Sequence, residues 1–559
     1  MIIAKYLKMP AAAFLLIAAL ILLVYGNTIN SPFIWDDKFF IVENTLIRDI
    51  ANITKVFTTN YFARENESLK GGSGYYRPFV TIFYMLDYYL WKDNAIGYHL
   101  TNIFLHILNT LLLFILIKAL FGSQPAALLG ALIYSVLPVH TNAVAYISGR
   151  TDLVTAFFYL LSLISFLSFA RGKSSIYFAF SAVFFTCSLL SKESAAVLPL
   201  VILMLAFYDR KSIRFYASSA PYFLILLAYL IWRGYLSGSS GGSLLPRLPA
   251  VIATAGQYIL LLLFPAKLTM ERFISATLKF NDPAFLLSSL AIILSAYLIF
   301  LRYRNRYAAL AWGWFFINLL PVINIIPVYP ALKNLILFQG EQFLYIPSAL
   351  FWAAVLYAAS QKIGPRPLAA AACLIIALYS GRTIARNAEW SNPEKLYSGT
   401  IANSIFPYRA MGNLATIYYD RGELDRASSL LEKAIKIKSD YFEGYFNLGN
   451  IFVQKGNYQK AVQYYYKAIE LNPVYYNAYT RLGFAFYKLN DLENALKSFL
   501  IAKEKDKTED AYFMLGFCYY TMKDEPNALK VWQEGYALYP GSKRLENRIR
   551  QMRGFSEAS

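Results

Sequence analysis

The run SPFIWDDKFF sets two adjacent carboxylates, Asp36 and Asp37, just beyond an apolar stretch and beside Trp35. A carboxylate at the outer mouth of a helical bundle can accept a proton from an attacking hydroxyl, given reach and a suitable pKa. By itself the pair would equally suit a helix cap or a hydrated interfacial turn. Its company raises the functional reading. His99 and Asn102, the run from His140 through Asn142 to Arg150, Lys192 with Glu193, and Glu341 with Gln342 are all expected at the same face of a membrane domain. Ionisable groups placed there are costly and tend to be functional. Arg150 and Lys192 would suit a lipid phosphate, Arg by its planar fork and Lys as a point charge. Each could instead pair internally with Asp152, Glu193 or Glu341. His106 and Asn109 continue a helical stripe with His99 and Asn102 and are expected to tie neighbouring spans together.

Positioning these groups requires a helical membrane domain. The chain is 57% hydrophobic, 17% aromatic and only 16% charged over 559 residues, which no ordinary soluble protein matches. Apolar runs near the length of a bilayer crossing recur through roughly the first 380 residues. About eleven spans are predicted: 10–26, 98–119, 123–140, 152–170, 174–190, 194–208, 215–233, 284–301, 306–321, 343–360 and 365–381. The first follows Lys5 and Lys8 without a small-residue cleavage site after it, so it reads as a retained span. With the N-terminus inside, Arg171 and Lys173, the cluster 209–214, Arg302, Arg304 and Arg306, and Lys362 with Arg366 fall inside as well. This holds if 248–264 is re-entrant or interfacial. Counting it as a twelfth span moves the C-terminal region to the other side.

The net charge of +19 follows this topology and the basic C-terminal repeats. No dedicated basic tract points to nucleic acid. Cys187, Cys373 and Cys518 form neither a disulfide framework nor a CxxC metal site. Asp36, Asp37 and Glu341 could ligate a divalent cation, yet no spacing demands one, and none is expected to be required. The loop 27–78 is long enough for small amphipathic helices, and carries sequons at Asn52 and Asn66. YYRPFVTIFYMLDYYLW reads as interfacial, with its helix starting at Arg77-Pro78.

From about Tyr408 the chain repeats itself roughly every 34 residues. Leu414, Leu448, Leu482 and Leu515 recur, followed by Tyr418, Phe452, Phe486 and Tyr519. Ala427, Ala461, Ala495 and Ala528 mark close helix contacts, and Pro473 and Pro540 stop two second helices. Four helix-pair repeats and a cap are predicted, a solenoid whose groove would bind a protein or peptide. Self-association is the plainer alternative.

Together these segments resemble the transmembrane-and-TPR protein O-mannosyltransferases of the GT-C class of polytopic glycosyltransferases. The resemblance rests on WDD at 35–37, YYRPF at 75–79, YHLTNIFLHILN at 98–109, PVHTNAVAYISGRTD at 138–152, LLSKES at 189–194, LLFPAKL at 262–268, GEQFLYIPS at 340–348 and the terminal repeats, in that order. It implies an all-α fold: a GT-C-type membrane domain over 1–385, a linker helix over 386–407, TPR repeats over 408–553 and a tail over 554–559. It also implies an inverting transfer of a sugar, typically mannose, from a polyprenyl-phosphate donor to Ser or Thr of extracytoplasmic proteins. A carboxylate of Asp36 or Asp37 would be the base, basic groups would hold the departing phosphate, and the repeats would recruit the acceptor. The setting would be a plasma or inner membrane in a prokaryote and the endoplasmic reticulum in a eukaryote.

Asn142 departs from the acidic residue expected after His-Thr, and Gln342 from the Arg expected after Glu341. Two other readings therefore stand: transfer to a glycan or lipid, and a non-catalytic membrane scaffold. A transporter would string its polar groups along a path through the bilayer, whereas these gather at one face.

Overall fold

Leu, Ile, Phe and Ala dominate the N-terminal half, so its helices satisfy their backbone internally while exposing apolar side chains, the only economical solution in lipid. The computed structural model of the chain describes residues 11–59, 61, 75–208, 217–236, 247–302, 306–325, 336–505 and 507–556. Lys5, Lys8, the cluster 209–214, Arg304, the Gly/Ser-rich loop at 237–243 and the Asn66 sequon lie outside them. The chain divides into two units, one of residues 1–399 with 403–405, the other of 400–402 with 406–559.

In the first unit, five helices among the described residues are long and apolar enough to cross a membrane: Ala11–Thr28, Ala95–Phe121, Ile147–Ala170, Pro283–Phe300 and Pro365–Trp390. A sixth is possible if Gln124–Ser135 and Pro138–Val144, bent by 53°, act as one span. Counting the bent pair, these carry six of the eleven expected spans, and the other five fall on shorter helices. Ile176–Leu189, Glu193–Tyr208, Ala220–Arg233, Leu248–Leu263 and Pro347–Ser360 are apolar helices of 10–17 residues. Proline accounts for the 123–140 break: Pro138 cannot donate its N–H, so the helix ends at Ser135 and restarts in a new direction. The segment 248–264 forms a helix of 16 residues, mostly buried.

Helices in this unit approach closely at small residues. A Cβ on Gly256 would stand 2.5 Å from Ser288 Cα, a backbone atom that cannot step aside. Gly256→Val is therefore expected to cost about 1–3 kcal/mol by overpacking. A detergent-solubilised variant that melts like the parent would refute the close contact.

Two features depart from an all-helical expectation or its boundaries. Arg272–Ser275 pairs antiparallel with Ile336–Gln339, Arg272 opposite Gln339. The expected linker over 386–407 begins on the end of one helix and holds a second of its own. Residues through Trp390 continue the last long membrane helix, and a new helix runs Pro393–Asn403.

The second unit consists of helix pairs: Tyr408–Asp420 with Leu424–Ile437, Phe442–Gln454 with Tyr458–Leu471, Asn477–Lys488 with Leu492–Lys505, and Glu509–Thr521 with Glu525–Leu538. The predicted alanines are fully buried between paired helices. The second helices stop at Leu471 and Leu538, two residues before Pro473 and Pro540. The capping helix Lys543–Ser556 extends into the segment read as a tail.

Candidate active site

The Asp36/Asp37 turn is built by a short bend after the first helix. Trp35 takes a φ of 51°, a conformation that a bulky residue adopts at a cost and that often marks a functional turn. A π-helical turn, Lys38–Val42, follows at once. Asp37 is 0% exposed. Its Oδ1 accepts from the Ser148 backbone N–H at 2.8 Å and from Ser148 Oγ at 2.5 Å, and Oδ2 accepts from the Ile34 N–H at 3.1 Å. Burial outweighs these bonds and pushes the Asp37 carboxyl up to about 7. Asp36 is only half-buried. It is therefore the better placed of the two to meet a substrate, and Asp37 the better fixed.

Ser148 belongs to the segment predicted from PVHTNAVAYISGR, which Asn102 clamps in place. The Asn102 amide donates to the carbonyls of Val144 at 3.2 Å and Tyr146 at 3.1 Å, while its oxygen accepts from Arg150 Nε at 2.8 Å. Tyr146 is thereby held between two indoles, stacked on Trp35 at 5.6 Å and on Trp390 at 5.3 Å, each pair within 19° of parallel. Deeper in the same bundle, His106 must donate from Nε2 to the Ser135 carbonyl (3.0 Å), so its Nδ1 accepts from the Tyr345 hydroxyl (2.7 Å). Asn109 donates to that hydroxyl and to the Leu153 carbonyl. These are the predicted ties between neighbouring helices.

Arg150 requires a correction. It is fully buried and spent internally: Nη1 lies 2.5 Å from Asp87 Oδ2, Nη2 donates to the Tyr98 carbonyl at 2.8 Å, and the guanidinium lies over the Tyr84 ring. An Arg bound on every side holds the site together and has no fork to offer a phosphate. Lys192 pairs with Asp152 at 2.6 Å and lies over the Phe343 ring, the internal alternative read from the sequence. Asp152 also lines a small cleft with Ser194, Asn318 and Phe343.

Glu193 bonds Arg77 at 3.0 Å, and Arg233 approaches it at 3.9 Å. Arg77 was read from the sequence only as a helix start. Its neighbours Tyr61 and Tyr75 flank the guanidinium, and an Arg set among aromatics beside an apolar helix was the available signal. Asp87, a lone acid in an apolar helix, gave the same signal for Arg150.

His99 donates to the Ser31 carbonyl at 3.1 Å, His140 meets Ser348 Oγ at 3.0 Å, and Asn142 donates to the Met270 carbonyl at 3.4 Å. Glu341 is buried just beyond the second strand, where the Thr269 N–H donates to it at 2.5 Å. Burial raises its carboxyl above the usual range, opposed by Arg386 and Arg272. Gln342 packs its amide against Gly340. Asp36, Asp37 and Ser148 form one group and Lys192, Asp152, Glu193 and Arg77 a second, with Ser148 just before and Asp152 just inside the start of the helix Arg150–Ala170. No group of three or more His, Cys, Asp or Glu side chains that could hold a metal ion occurs among the described residues.

The first unit is thus an apolar helical domain that sets a buried carboxylate beside a half-buried one, and the second is built of helix-pair repeats. Residues 77–234 match the family described as dolichyl-phosphate-mannose-protein mannosyltransferase, and 415–456, 442–475 and 510–542 match tetratricopeptide repeat families. A segment similar to that mannosyltransferase family is thus followed by segments that match tetratricopeptide repeats. It is similar to protein O-mannosyl-transferase tmtc2 of Xenopus laevis, 26% identical over 529 residues, with 76% of this chain and 62% of the relative covered. Protein O-mannosyl-transferase TMTC1 of Homo sapiens is 32% identical over 200 residues, covering 33% of this chain and 22% of the relative. The chain therefore spans less than two thirds of the length of these relatives. Among solved structures it is similar to YrrB, a TPR protein, at 19% identity and a TM-score of 0.27, covering 32% of this chain and 91% of that one.

Proposed function

We propose that this protein is a membrane glycosyltransferase that moves a hexose, mannose in the first instance, from a polyprenyl-phosphate donor to Ser or Thr hydroxyls of extracytoplasmic proteins. The observation that carries this reading is the Asp36/Asp37 pair, one carboxylate accessible and the other locked by Ser148, within a chain whose residues 77–234 match a mannosyltransferase family. In the reaction, the Ser or Thr oxygen bonds to the anomeric carbon as the bond from that carbon to the phosphate oxygen breaks. The hydroxyl proton passes to Asp36, and the phosphate departs with its lipid. Attack opposite the leaving group inverts the anomeric centre. Asp37 holds the turn and, once ionised, raises the basicity of its neighbour by like-charge repulsion.

The tetratricopeptide unit is assigned to acceptor recruitment, because a helix-pair groove binds extended peptides without chemistry of its own. A donor embedded in lipid and an acceptor in water meet only at a membrane surface, which fits a site at the mouth of the bundle and repeats on the same, extracytoplasmic side.

The test is reconstitution of the full chain in vesicles with a polyprenyl-phospho-hexose and a mixture of secreted proteins, read by glycopeptide mass spectrometry. Hexose on Ser or Thr peptides supports the reading. Hexose found only on glycans or lipids would replace it with the alternative acceptor, and no transfer to any acceptor would leave a scaffold.

A further inference from the structure

Asp37 joins two stretches of chain that lie 111 residues apart. Its Oδ1 accepts from both the backbone N–H and the hydroxyl of Ser148, and its Oδ2 from the Ile34 N–H. Two of these three bonds thus come from a single residue outside the carboxylate turn. Asp36 shares that turn, and its carbonyl accepts from the Phe40 N–H at 2.9 Å. What fixes Asp37 therefore also fixes the backbone from which Asp36 projects.

Ser148 is 8% exposed and sits in the turn Ile147–Gly149. That turn is pressed against its own chain: a Cβ on Gly149 would stand 2.1 Å from the Asn142 carbonyl oxygen and 2.9 Å from Ala143 Cα. The Asn102 amide reaches the carbonyls just ahead of Ser148, as far as Ile147 at 3.4 Å. A close-packed frame thus presents the hydroxyl to the carboxylate.

The charges around Asp37 give that hydroxyl its weight. Facing the carboxyl are Asp36 on its own turn, Tyr146 on the Ser148 segment, Tyr84 on the helix Pro78–Trp91 and Tyr397 on the helix Pro393–Asn403. One of these is a like charge and three are phenols, which are neutral at physiological pH. None of the four favours the Asp37 anion, and the task falls to hydrogen bonds. Burial is the largest influence on this carboxyl and raises it; the Ser148 hydroxyl is the largest that opposes burial.

We propose that Ser148 is a positioning residue for the transfer: its hydroxyl holds Asp37 as an anion beside Asp36 and ties the carboxylate turn to the segment 144–150. The proposal rests on the function proposed above and deepens it, by naming the residue that decides when Asp37 can support its neighbour. In the transfer the acceptor proton goes to Asp36, the Asp37 anion strengthens Asp36 as a base, and the Ser148 proton stays on Oγ throughout.

The experiment reads turnover against pH for the full chain in vesicles with a polyprenyl-phospho-hexose and secreted acceptor proteins. Ser148→Ala removes the hydroxyl and keeps the backbone N–H bond; Ser148→Cys keeps the size and donates more weakly. In Ser148→Ala the acidic limb is expected to move up by about one to two pH units, the worth of one hydrogen bond to a charged group. Above the shifted limb, turnover should return to near the parental rate with KM for the donor unchanged. Ser148→Cys should shift the limb by less. Variants slowed by one factor at every pH would make Ser148 a structural residue only, and an unmoved limb would take its hydroxyl out of the mechanism; either result overturns the proposal. Melting temperature against pH is a readout independent of activity. The Asp37 contribution, lost by about pH 7 in the parent, should go on declining to higher pH in both variants. If the unsubstituted chain transfers nothing, the glycosyltransferase reading itself fails, and the melting profile still decides whether Ser148 holds the Asp37 charge; if it transfers and the variants keep its pH limb, only the role of Ser148 fails.

Discussion

Arg150→Met should destabilise the membrane unit by about 3–5 kcal/mol, because it strands a buried charge. The guanidinium is fully enclosed and answers Asp87 at 2.5 Å, Asn102 at 2.8 Å and the Tyr98 carbonyl at 2.8 Å. After the substitution Asp87 keeps only the Thr101 hydroxyl, at 2.7 Å. Asn102 loses the partner that orients its amide toward the 144–146 carbonyls, so the segment carrying Tyr146 and Ser148 loosens too. Replacing Asp87 as well, as Arg150→Met with Asp87→Leu, should recover most of the loss, since an apolar pair of similar volume often substitutes for a buried ion pair. Thermal unfolding in detergent reads this directly. The opposite pattern, a single variant that melts normally but no longer binds a polyprenyl phosphate, would restore Arg150 to the phosphate role that its chemistry first suggested.

For the carboxylate pair the two substitutions should separate. Asp36→Asn is expected to lower turnover about 10²–10⁴-fold, the usual contribution of a general base. Asp37→Asn should leave measurable activity but change its pH dependence. With the Asp37 carboxyl raised to about 7 by burial, turnover in the parent should climb through an acidic limb near pH 7 as Asp37 ionises, and the limb should vanish in Asp37→Asn. The same shift has a stability sign. The folded state holds the Asp37 proton more tightly than the unfolded one, whose carboxyl titrates near the ordinary 3.8. Its stabilising contribution is therefore complete below pH 3.8 and is lost as pH rises to about 7. Asp37→Asn should flatten that slope. An Asp36→Asn protein that transfers hexose at the parental rate would remove Asp36 from the mechanism.

Much of this architecture was legible because it follows from periodicity. The stripe His99, Asn102, His106 and Asn109 could be placed on one helix face from spacing alone, and His106 and Asn109 do join neighbouring helices. The repeat unit was equally readable, since small residues recurred where paired helices touch. Partnerships between distant segments were not. Nothing local to Arg150 names Asp87, and Lys192 had three acidic candidates before the structure paired it with Asp152. The strand pair escaped because RFIS and ILFQ are short runs that mate across a long intervening stretch. Hydropathy does not separate long helices from shorter ones, because proline breaks and short helices share the composition of membrane crossings without their length. It also cut the last helix short, where polar residues begin while the helix continues to Trp390, and so set aside Arg386 as linker.

The order in which the chain is made gives that last helix a further meaning. Asn387 donates to the Val24 carbonyl at 2.9 Å, Ser391 and Ser31 share a hydroxyl contact at 2.6 Å, and Trp390 closes the stack begun by Trp35. The carboxylates of the first outer loop emerge early in synthesis, yet their surroundings stay unfinished until a segment about 350 residues later has been inserted. A ribosome that stalls, or a protease that clips the chain before Arg386, leaves a membrane protein with every early motif present and no closed site. Completion of the bundle therefore acts as a licence: no partly inserted nascent chain has the assembled site.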